Sequence, residues 1–463
     1  MKPLPHQASI QGTRLYFLPV RTRVPLKFGS ETLTEVVCAR VQMHVRGAGG
    51  REAEGWGETP LSVQWVWPSE LPYAPRLERL QEFCGRIGRS LSQFGASGHP
   101  MELSQDFQEQ VLPRLLEEAD RECPVGEPMP WLAALVCFSL FDIALHDAYG
   151  HLVQRPTFET LTPEFLSRDL AAFFEGDPQF AGRYPADFLL PQRRDQMQVW
   201  HLVGGLDFLD ETQSHGAVSP DTHPLLLEDW IARDGLRCLK VKLRGNDAEW
   251  DLDRLRRVGE LGEARGVLWL SADFNCTVKD PDYVNRILDR LRDEAPRVYG
   301  MILYVEQPFP YELEQFPIPV FSVSARKPLF LDESAHDWRH VRLGRSLGWN
   351  GVALKTCKTL TGALLSSCWA QAHGMALMVQ DLTNPMLAQI PHLSLAAHLP
   401  TIMGVETNAM QYYPEASAAE AEVHPHIYQR RGGKVDLSSI RGPGLGYRLE
   451  EMARPLPPPA GVF

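Results

Sequence analysis

Apolar residues fall into two successive rhythms along the chain. Up to about residue 60 the pattern is that of strands and turns. Residues 14–19 and 36–45 are rich in Val, Leu, Phe and Tyr, and the segment RGAGGREAEGWGE supplies glycine-rich turns. From 70 to 150 the apolar period becomes helical. It is clear in ELPYAPRLERLQEFCGRIGRSL and strongest in WLAALVCFSLFDIALHDAYG, where Gly150 reads as the stop. The pattern predicts an α+β unit over residues 1–150.

The second rhythm starts near residue 199, where short apolar runs alternate with helical stretches. The runs are VWHLV (199–203), CLKVKL (238–243), VLWLSAD (267–273), MILYVEQ (301–307), PLFLDES (328–334), GVALK (351–355), MALMVQ (375–380) and TIMGVE (401–406). Eight strands with helices between them predict parallel pairing and favour a closed (β/α) barrel over 199–409. The competing arrangement is an open doubly wound sheet. No G-x-G-x-x-G follows any run, which weakens its nucleotide-binding form. The stretch 151–198 has no clean period. It reads as an elaborated linker or insertion with one helix at 162–174. The segment 410–463 ends in the irregular RPLPPPAGVF.

Composition narrows the function classes. The 463 residues are 44% hydrophobic and 22% charged, an ordinary globular make-up, with a formal net charge of −12. An acidic chain gains no counterion-release energy on phosphates, so nucleic acid is not an expected partner, nor is an anionic membrane surface. The eight cysteines (Cys38, Cys84, Cys123, Cys137, Cys238, Cys276, Cys357 and Cys368) form no C-x-x-C pair. They suit a reduced, cytoplasmic protein rather than a disulfide scaffold or a thiolate zinc site. The start of the chain carries no apolar signal-peptide core. The greasiest run, 131–141, falls short of the roughly 20 residues of a membrane span and reads as a buried helix.

In such barrels functional side chains sit at the C-terminal ends of the strands. Three successive runs end in acids: Asp273, Glu306 and Asp332. Neighbouring strands lie about 4.8 Å apart, so the carboxylates converge and need a cation. An all-oxygen set without His or Cys suits a hard ion, Mg²⁺ first. N-capping of the following helices would explain one such acid more readily than three in a row.

The second run carries Lys240 and Lys242, two apart and therefore on one face. With Leu239, Val241 and Leu243 turned to the helix layer, the lysines face the barrel interior. There each needs a carboxylate partner or a lowered pKa, and a lowered pKa makes an amine base accessible near neutral pH. Lys355 ends the sixth run, opposite the second in an eight-stranded barrel, with Lys358 just beyond. Two amines flanking one carbon, with a metal holding the adjoining carboxylate, suit proton abstraction α to a carboxylate through an enediolate. The last two runs end in Gln380 and Asp381, and in Glu406 and Asn408.

At these residues the chain resembles the enolase superfamily, in its muconate-lactonizing-enzyme subgroup (mandelate racemase/muconate lactonizing enzyme-like). The ordered motifs are GWGET (55–59), FDIALHDAYG (141–150), LKVKL (239–243), ADFN (272–275), VEQP (305–308), LDES (331–334) and LKTCK (354–358). The resemblance implies an α/β architecture. An α+β N-terminal capping domain sits over a modified (β/α)7β TIM-like barrel and is completed by C-terminal residues packing back on the cap. It implies Asp273, Glu306 and Asp332 as Mg²⁺ ligands and Lys242 and Lys355 as acid/base groups on opposite faces. Lys240 would assist Lys242, and Asn275 and Glu333 would support the site. Phe28 and Trp56 fall where the family's specificity loops lie, with Gln380, Asp381, Glu406 and Asn408 as further substrate contacts. Dipeptide epimerases of the subgroup carry D-x-D at the eighth strand to hold the substrate ammonium. Here the triplet is Glu406-Thr407-Asn408.

The expected activity is Mg²⁺-dependent racemisation or epimerisation of a small-molecule carboxylate such as an N-acyl amino acid or a dipeptide. A lyase or cycloisomerase like o-succinylbenzoate synthase stands beside it. A sugar-acid dehydratase and a non-catalytic barrel are weaker fits. Homo-oligomers are frequent among relatives, so a homo-oligomer is compatible with the resemblance.

Overall fold

A computed structural model describes residues 6–29, 31–122 and 127–463. The cap begins with three long antiparallel strands, β1 (Ala8–Phe28), β2 (Glu31–Gly47) and β3 (Glu52–Leu61). A short β4 (Ser97–Gly98) pairs with β1. Helices α1 (Val63–Val66), α2 (Tyr73–Ser92), α3 (Pro100–Gln110), α4 (Leu112–Glu122) and α5 (Trp131–Val153) follow.

Helix α5 lies on the sheet, buried on nearly every face. Its closeness explains the glycines of GWGET. A Cβ on Gly55 would stand 2.0 Å from the Ala148 nitrogen, and one on Gly57 would stand 2.0 Å from the Leu140 carbonyl oxygen. Only bare backbone lets the helix settle there. Gly150 does not stop the helix, which runs on to Val153 and ends on left-handed Gln154. Gly150 is needed for a different contact, since a Cβ there would meet the Gly444 Cα at 2.5 Å. At 23 residues α5 is long and apolar enough to cross a membrane by length alone, but 94% of its most apolar stretch is buried within the protein.

Eight parallel strands then form the barrel: β5 (Gln196–Val203), β6 (Cys238–Lys242), β7 (Trp269–Asp273), β8 (Ile302–Glu306), β9 (Leu329–Leu331), β10 (Gly351–Leu354), β11 (Ala376–Val379) and β12 (Val405–Glu406). Each contains or lies within one of the eight apolar runs. They are ordered β11-β10-β9-β8-β7-β6-β5-β12. The Ile402 amide, just before β12, donates to the Leu377 carbonyl of β11 at 2.9 Å and draws the ring together. Alternation divides the strands as period-2 patterning requires. Leu239, Val241, Leu270, Val305, Val352 and Val379 join the large core beneath the helices. Trp200, Cys238, Tyr304, Phe330 and Met378 form a separate apolar floor inside the barrel. A short strand, β13 (Lys434–Asp436), pairs antiparallel with the start of β5, and β14 (Gly461–Val462) returns to pair with β1 on the edge of the cap sheet.

The return is held by charge as well as by backbone. Arg40 of β2 bonds Glu58 of β3 and Glu420 (3.2 Å), and Arg454 in the tail bonds Glu420 at 2.5 Å. Arg40, Glu58 and Glu420 are buried.

The segment 151–198 packs rather than dangles. Phe158, Leu161, Leu170, Phe173, Phe180 and Phe188 are buried in the barrel-side core. The helix expected at 162–174 shrinks to one turn, Leu170–Phe173. The reason is local: Glu102 of α3 accepts from the Ser167 and Arg168 amides at 2.7 and 2.9 Å, so those amides are not available to a helix ladder. Cys123 lies outside the described residues. The other seven cysteines are free thiols.

Candidate active site

The strand ends place the chemistry by register. Lys242 of β6 lies opposite Asp273 of β7, which lies opposite Glu306 of β8. These positions share the interior face with Lys240 one pleat below, and all four side chains are buried. Asp332 follows β9 directly, and Lys355 follows β10.

The charges interlock. Lys240 Nζ reaches Glu306 Oε1 at 2.6 Å, Glu406 Oε2 at 3.0 Å and Asp273 Oδ2 at 3.1 Å. Lys242 Nζ bonds Asp273 Oδ2 at 2.5 Å. Across the mouth, Lys355 Nζ pairs with Asp332 Oδ2 at 2.8 Å, while Lys358 Nζ donates to the Asp332 backbone carbonyl at 2.5 Å. Gln380, fully buried, donates to Glu306 Oε2 at 2.5 Å and accepts from Lys240. It therefore works beneath the cavity rather than in it. Asn275 donates its amide N–H to Asp273 Oδ1 at 2.9 Å and its side chain to Glu333 Oε1 at 3.3 Å.

Lys240 and Lys242 both meet the expected need for a carboxylate partner. Burial alone lowers Lys240, but Glu306, Glu406, Asp273 and Asp332 outweigh it and hold the ammonium well above its ordinary range. Lys355 is likewise raised against burial, chiefly by Asp332. Burial pushes the Asp332 and Asp273 carboxyls up, but their lysine neighbours prevail and both are lowered. Glu306 is raised by burial and then by Asp273, in spite of Lys240. An acid raised beside an ammonium marks a cluster short of positive charge.

The donor set fits a bound cation on the same ground. Six buried carboxylates (Asp273, Glu306, Asp332, Glu333, Asp381 and Glu406) surround four buried ammonium groups (Lys240, Lys242, Lys355 and Lys358), a deficit of two charges. Asp332 Oδ1, Glu333 Oε2 and Asn275 Oδ1 are buried without a hydrogen-bond partner. Oxygen donors in a charge deficit fit a hard divalent ion. Among the described residues no three acidic, histidine or cysteine side chains stand together as a ready-made metal cluster. Lys240 itself occupies the point on which Asp273 and Glu306 converge.

The cap closes the mouth. The hairpin of β1 and β2 is tethered to the barrel by Arg23, whose Nε meets Asp221 Oδ2 at 2.6 Å, and by the Gly205 amide donating to Lys27 O at 3.0 Å. Phe28 thereby hangs over Lys242, with the ammonium 5.9 Å from the ring centroid. Trp65 of α1 enters from the other side. Its Nε1 donates to Glu333 Oε1 at 2.9 Å and its ring lies 4.6 Å from Lys355 Nζ.

Between roof and floor is a cavity of about 40 Å³, lined by Phe28, Trp65, Lys240, Lys242, Lys355, Asp381 and Glu406 with Leu26, Leu33, Val36, Leu202, Leu382 and Tyr413.

Helix α5 fixes the lysine turn from behind. Asp142 Oδ2 accepts from the Leu360 and Thr361 amides at 2.6 and 3.1 Å, at the start of the helix Leu360–Ala372. Just before it Thr359 holds φ +74°, a conformation costly for a β-branched residue.

Of the residues singled out in the sequence, Phe28, Lys240, Lys242, Lys355, Asp381 and Glu406 line one cavity. Asp273, Glu306, Asp332, Asn275, Glu333, Gln380 and Asn408 form the bonded layer around it. Trp56 does not join them. It stacks on Tyr16, ring centroids 5.9 Å apart, while its amide donates to Asp147 at 2.9 Å. Sequence reasoning passed over Trp65. Its only signal was an aromatic pair (Trp65, Trp67) just after GWGET, without a period to say which ring turns inward.

Comparison with known proteins agrees with this architecture. Residues 225–453 match the family described as enolase C-terminal domain-like. An aromatic dipeptide epimerase from Herpetosiphon aurantiacus is 24% identical over 257 residues, 55% of this chain and 67% of that protein. Two solved structures superpose over nearly the whole chain. A dipeptide epimerase from Enterococcus faecalis V583, complexed with Mg and L-Leu-L-Tyr, shares 16% identity at a TM-score of 0.61, covering 95% of this chain and 99% of its own. An N-succinyl Arg/Lys racemase from Bacillus cereus ATCC 14579 shares 16% at 0.62, covering 96% and 98%. At such identities the likeness speaks to the fold, and the family match carries the membership. The chain belongs to the enolase superfamily, in its mandelate racemase/muconate-lactonizing-enzyme-like subgroup.

Proposed function

We propose that this protein is a Mg²⁺-dependent enzyme that abstracts the α-proton of a small carboxylate and returns it to the opposite face. Such an enzyme racemises or epimerises an N-acyl amino acid or dipeptide-like substrate. The observation that carries the reading is the pair Lys242 and Lys355. They line one small cavity from opposite sides of the barrel, each braced by its own carboxylate.

Asp273, Glu306 and Asp332 would hold the ion. When bound, it supplies positive charge beside the substrate carboxylate. The chain's own residues do the rest. One lysine takes the α-proton as a free amine while the other, as ammonium, delivers a proton to the far face, and the roles exchange for the other enantiomer. Lys240 adds a fixed positive charge next to Lys242, where negative charge grows during abstraction. Phe28, Trp65 and the leucines of the roof exclude water. The relatives named for dipeptide epimerisation and N-succinyl amino acid racemisation support this reading.

The test is solvent exchange. In D₂O with Mg²⁺, an accepted N-acyl amino acid gains α-deuterium and loses optical purity. Loss of water or ring closure without inversion would replace the racemase reading by the lyase one. No exchange across a panel of N-acyl amino acids and dipeptides would overturn it.

A further inference from the structure

A second and larger cavity, of about 350 Å³, lies outside the catalytic one, where the cap hairpin meets β5 and the helix Leu227–Asp234. Its wall is mostly apolar, with Val24, Phe208, Leu225, Leu227, Trp230 and Tyr412. The two cavities have no lining residue in common. Pro25 and Leu26, His201 and Leu202, and Tyr412 and Tyr413 divide between them, so one layer of chain separates the two. A volume above about 300 Å³, aromatic walls and few polar groups are the marks of a small-molecule site.

The polar groups of this wall narrow what it takes. Arg23 is fully engaged: Nε bonds Asp221 at 2.6 Å, Nη2 bonds Ser219 Oγ at 2.8 Å and the His223 carbonyl at 3.1 Å, and Nη1 bonds the Pro224 carbonyl at 3.3 Å. Asp207 accepts from the Gly204 amide at 2.8 Å. Among the described residues of the wall, His201 Nδ1 is the only side-chain nitrogen or oxygen buried without a hydrogen-bond partner. Its neighbours fix its proton. Gln411 Oε1 accepts from the Leu202 amide at 3.1 Å and Gln411 Nε2 donates to the Leu202 carbonyl at 2.9 Å, which orients the side-chain amide. The same Nε2 donates to His201 Nε2 at 3.2 Å. Burial, then Arg430 and Arg233, hold His201 well below its ordinary range, so the ring is neutral and its one proton is on Nδ1. A buried donor without an acceptor is costly, and an acceptor brought by a ligand removes that cost. The two arginines beside His201 disfavour a cation there, and Asp207 disfavours an anion.

We propose that this cavity binds a small neutral molecule with an aromatic body and one carbonyl oxygen, the oxygen accepting from His201 Nδ1 and the ring packing among Phe208, Trp230 and Tyr412.

Three compounds on one carbon skeleton test this: acetophenone, ethylbenzene and 1-phenylethylamine, the last charged at pH 7. Binding to the full chain is read by calorimetry. Acetophenone is expected to bind with a dissociation constant below about 1 mM. Ethylbenzene, which lacks the acceptor, should bind about tenfold more weakly, and the desolvated ammonium at least about tenfold more weakly. Leu225→Trp fills the cavity and should weaken acetophenone about tenfold or more. His201→Phe removes the donor and should bring acetophenone and ethylbenzene to within about twofold of each other, a result that stands even if Leu225→Trp does not fold. Failure of acetophenone to bind the wild type overturns the proposal, as does binding unchanged in these variants. Equal or tighter binding of ethylbenzene or of the amine by the wild type overturns it as well.

Discussion

Replacing Lys355 by methionine separates the two roles the site gives that residue. The methionine keeps the aliphatic stem against Trp65 and removes the charge. Asp332 then loses its 2.8 Å partner and keeps only Lys358, whose ammonium binds the Asp332 backbone carbonyl and stands 3.7 Å from Oδ1. Breaking a buried pair costs about 3–5 kcal/mol, and the nearby Lys358 points to the lower end, about 3 kcal/mol. A divalent ion beside Asp332 would supply the missing charge. Urea unfolding in chelator should therefore show a loss of about 3 kcal/mol that falls to about 1 kcal/mol in saturating Mg²⁺.

The same variant tests the chemistry. Removing one of two acid/base groups costs about 10²–10⁴ in rate. The loss should fall on α-deuterium exchange from one enantiomer, with Lys242→Met impairing the other. A stability loss indifferent to Mg²⁺, together with undiminished exchange from both enantiomers, would refute the assignment of Asp332 to the ion and of Lys355 to the reaction.

Three further outcomes follow from other parts of the molecule. His392 is fully buried, and burial lowers it to about 4, with its Nε2 bonded to the Glu406 carbonyl. Unfolded, it binds a proton near pH 6.5, so stability present at pH 7 is lost between 6.5 and 4, by about 3 kcal/mol. His392→Asn should flatten that part of the urea-measured pH profile, and an unchanged slope would contradict it. Arg40→Met strands Glu58 beneath the cap and should cost about 3–5 kcal/mol in denaturant titration, with Glu58→Gln in the same chain recovering part of it. Gly57→Ala forces a methyl group to 2.0 Å from the Leu140 carbonyl and should destabilise by at least about 3 kcal/mol, seen as a lowered melting temperature or insoluble protein.

Much of the barrel was legible because parallel strands covered on both faces write themselves as apolar runs. Each expected run overlaps a strand, and Lys242, Asp273, Glu306, Asp332, Lys355 and Glu406 close six of them at the mouth. The lysines of K-x-K face inward for the same reason of alternation. What was not legible depends on partners remote in the chain. Gly150 looked like a helix end because glycine is poor in helices, yet it was required by Gly444, almost 300 residues on. The pKa of Lys240 is set by acids from the ends of four other strands, and spacing cannot say how many of them close in. The run 162–174 has helical residues, but Glu102 captures its amides. Trp65 is chosen by geometry at the cap–barrel boundary, where no period survives to be read.

The edge pairing of residues 461 and 462 with residues 14 and 15 joins stretches of chain that have the entire barrel between them. The entropy of closing so long a loop must be overcome before that contact contributes anything. This seam is therefore among the last to zip and the first to part.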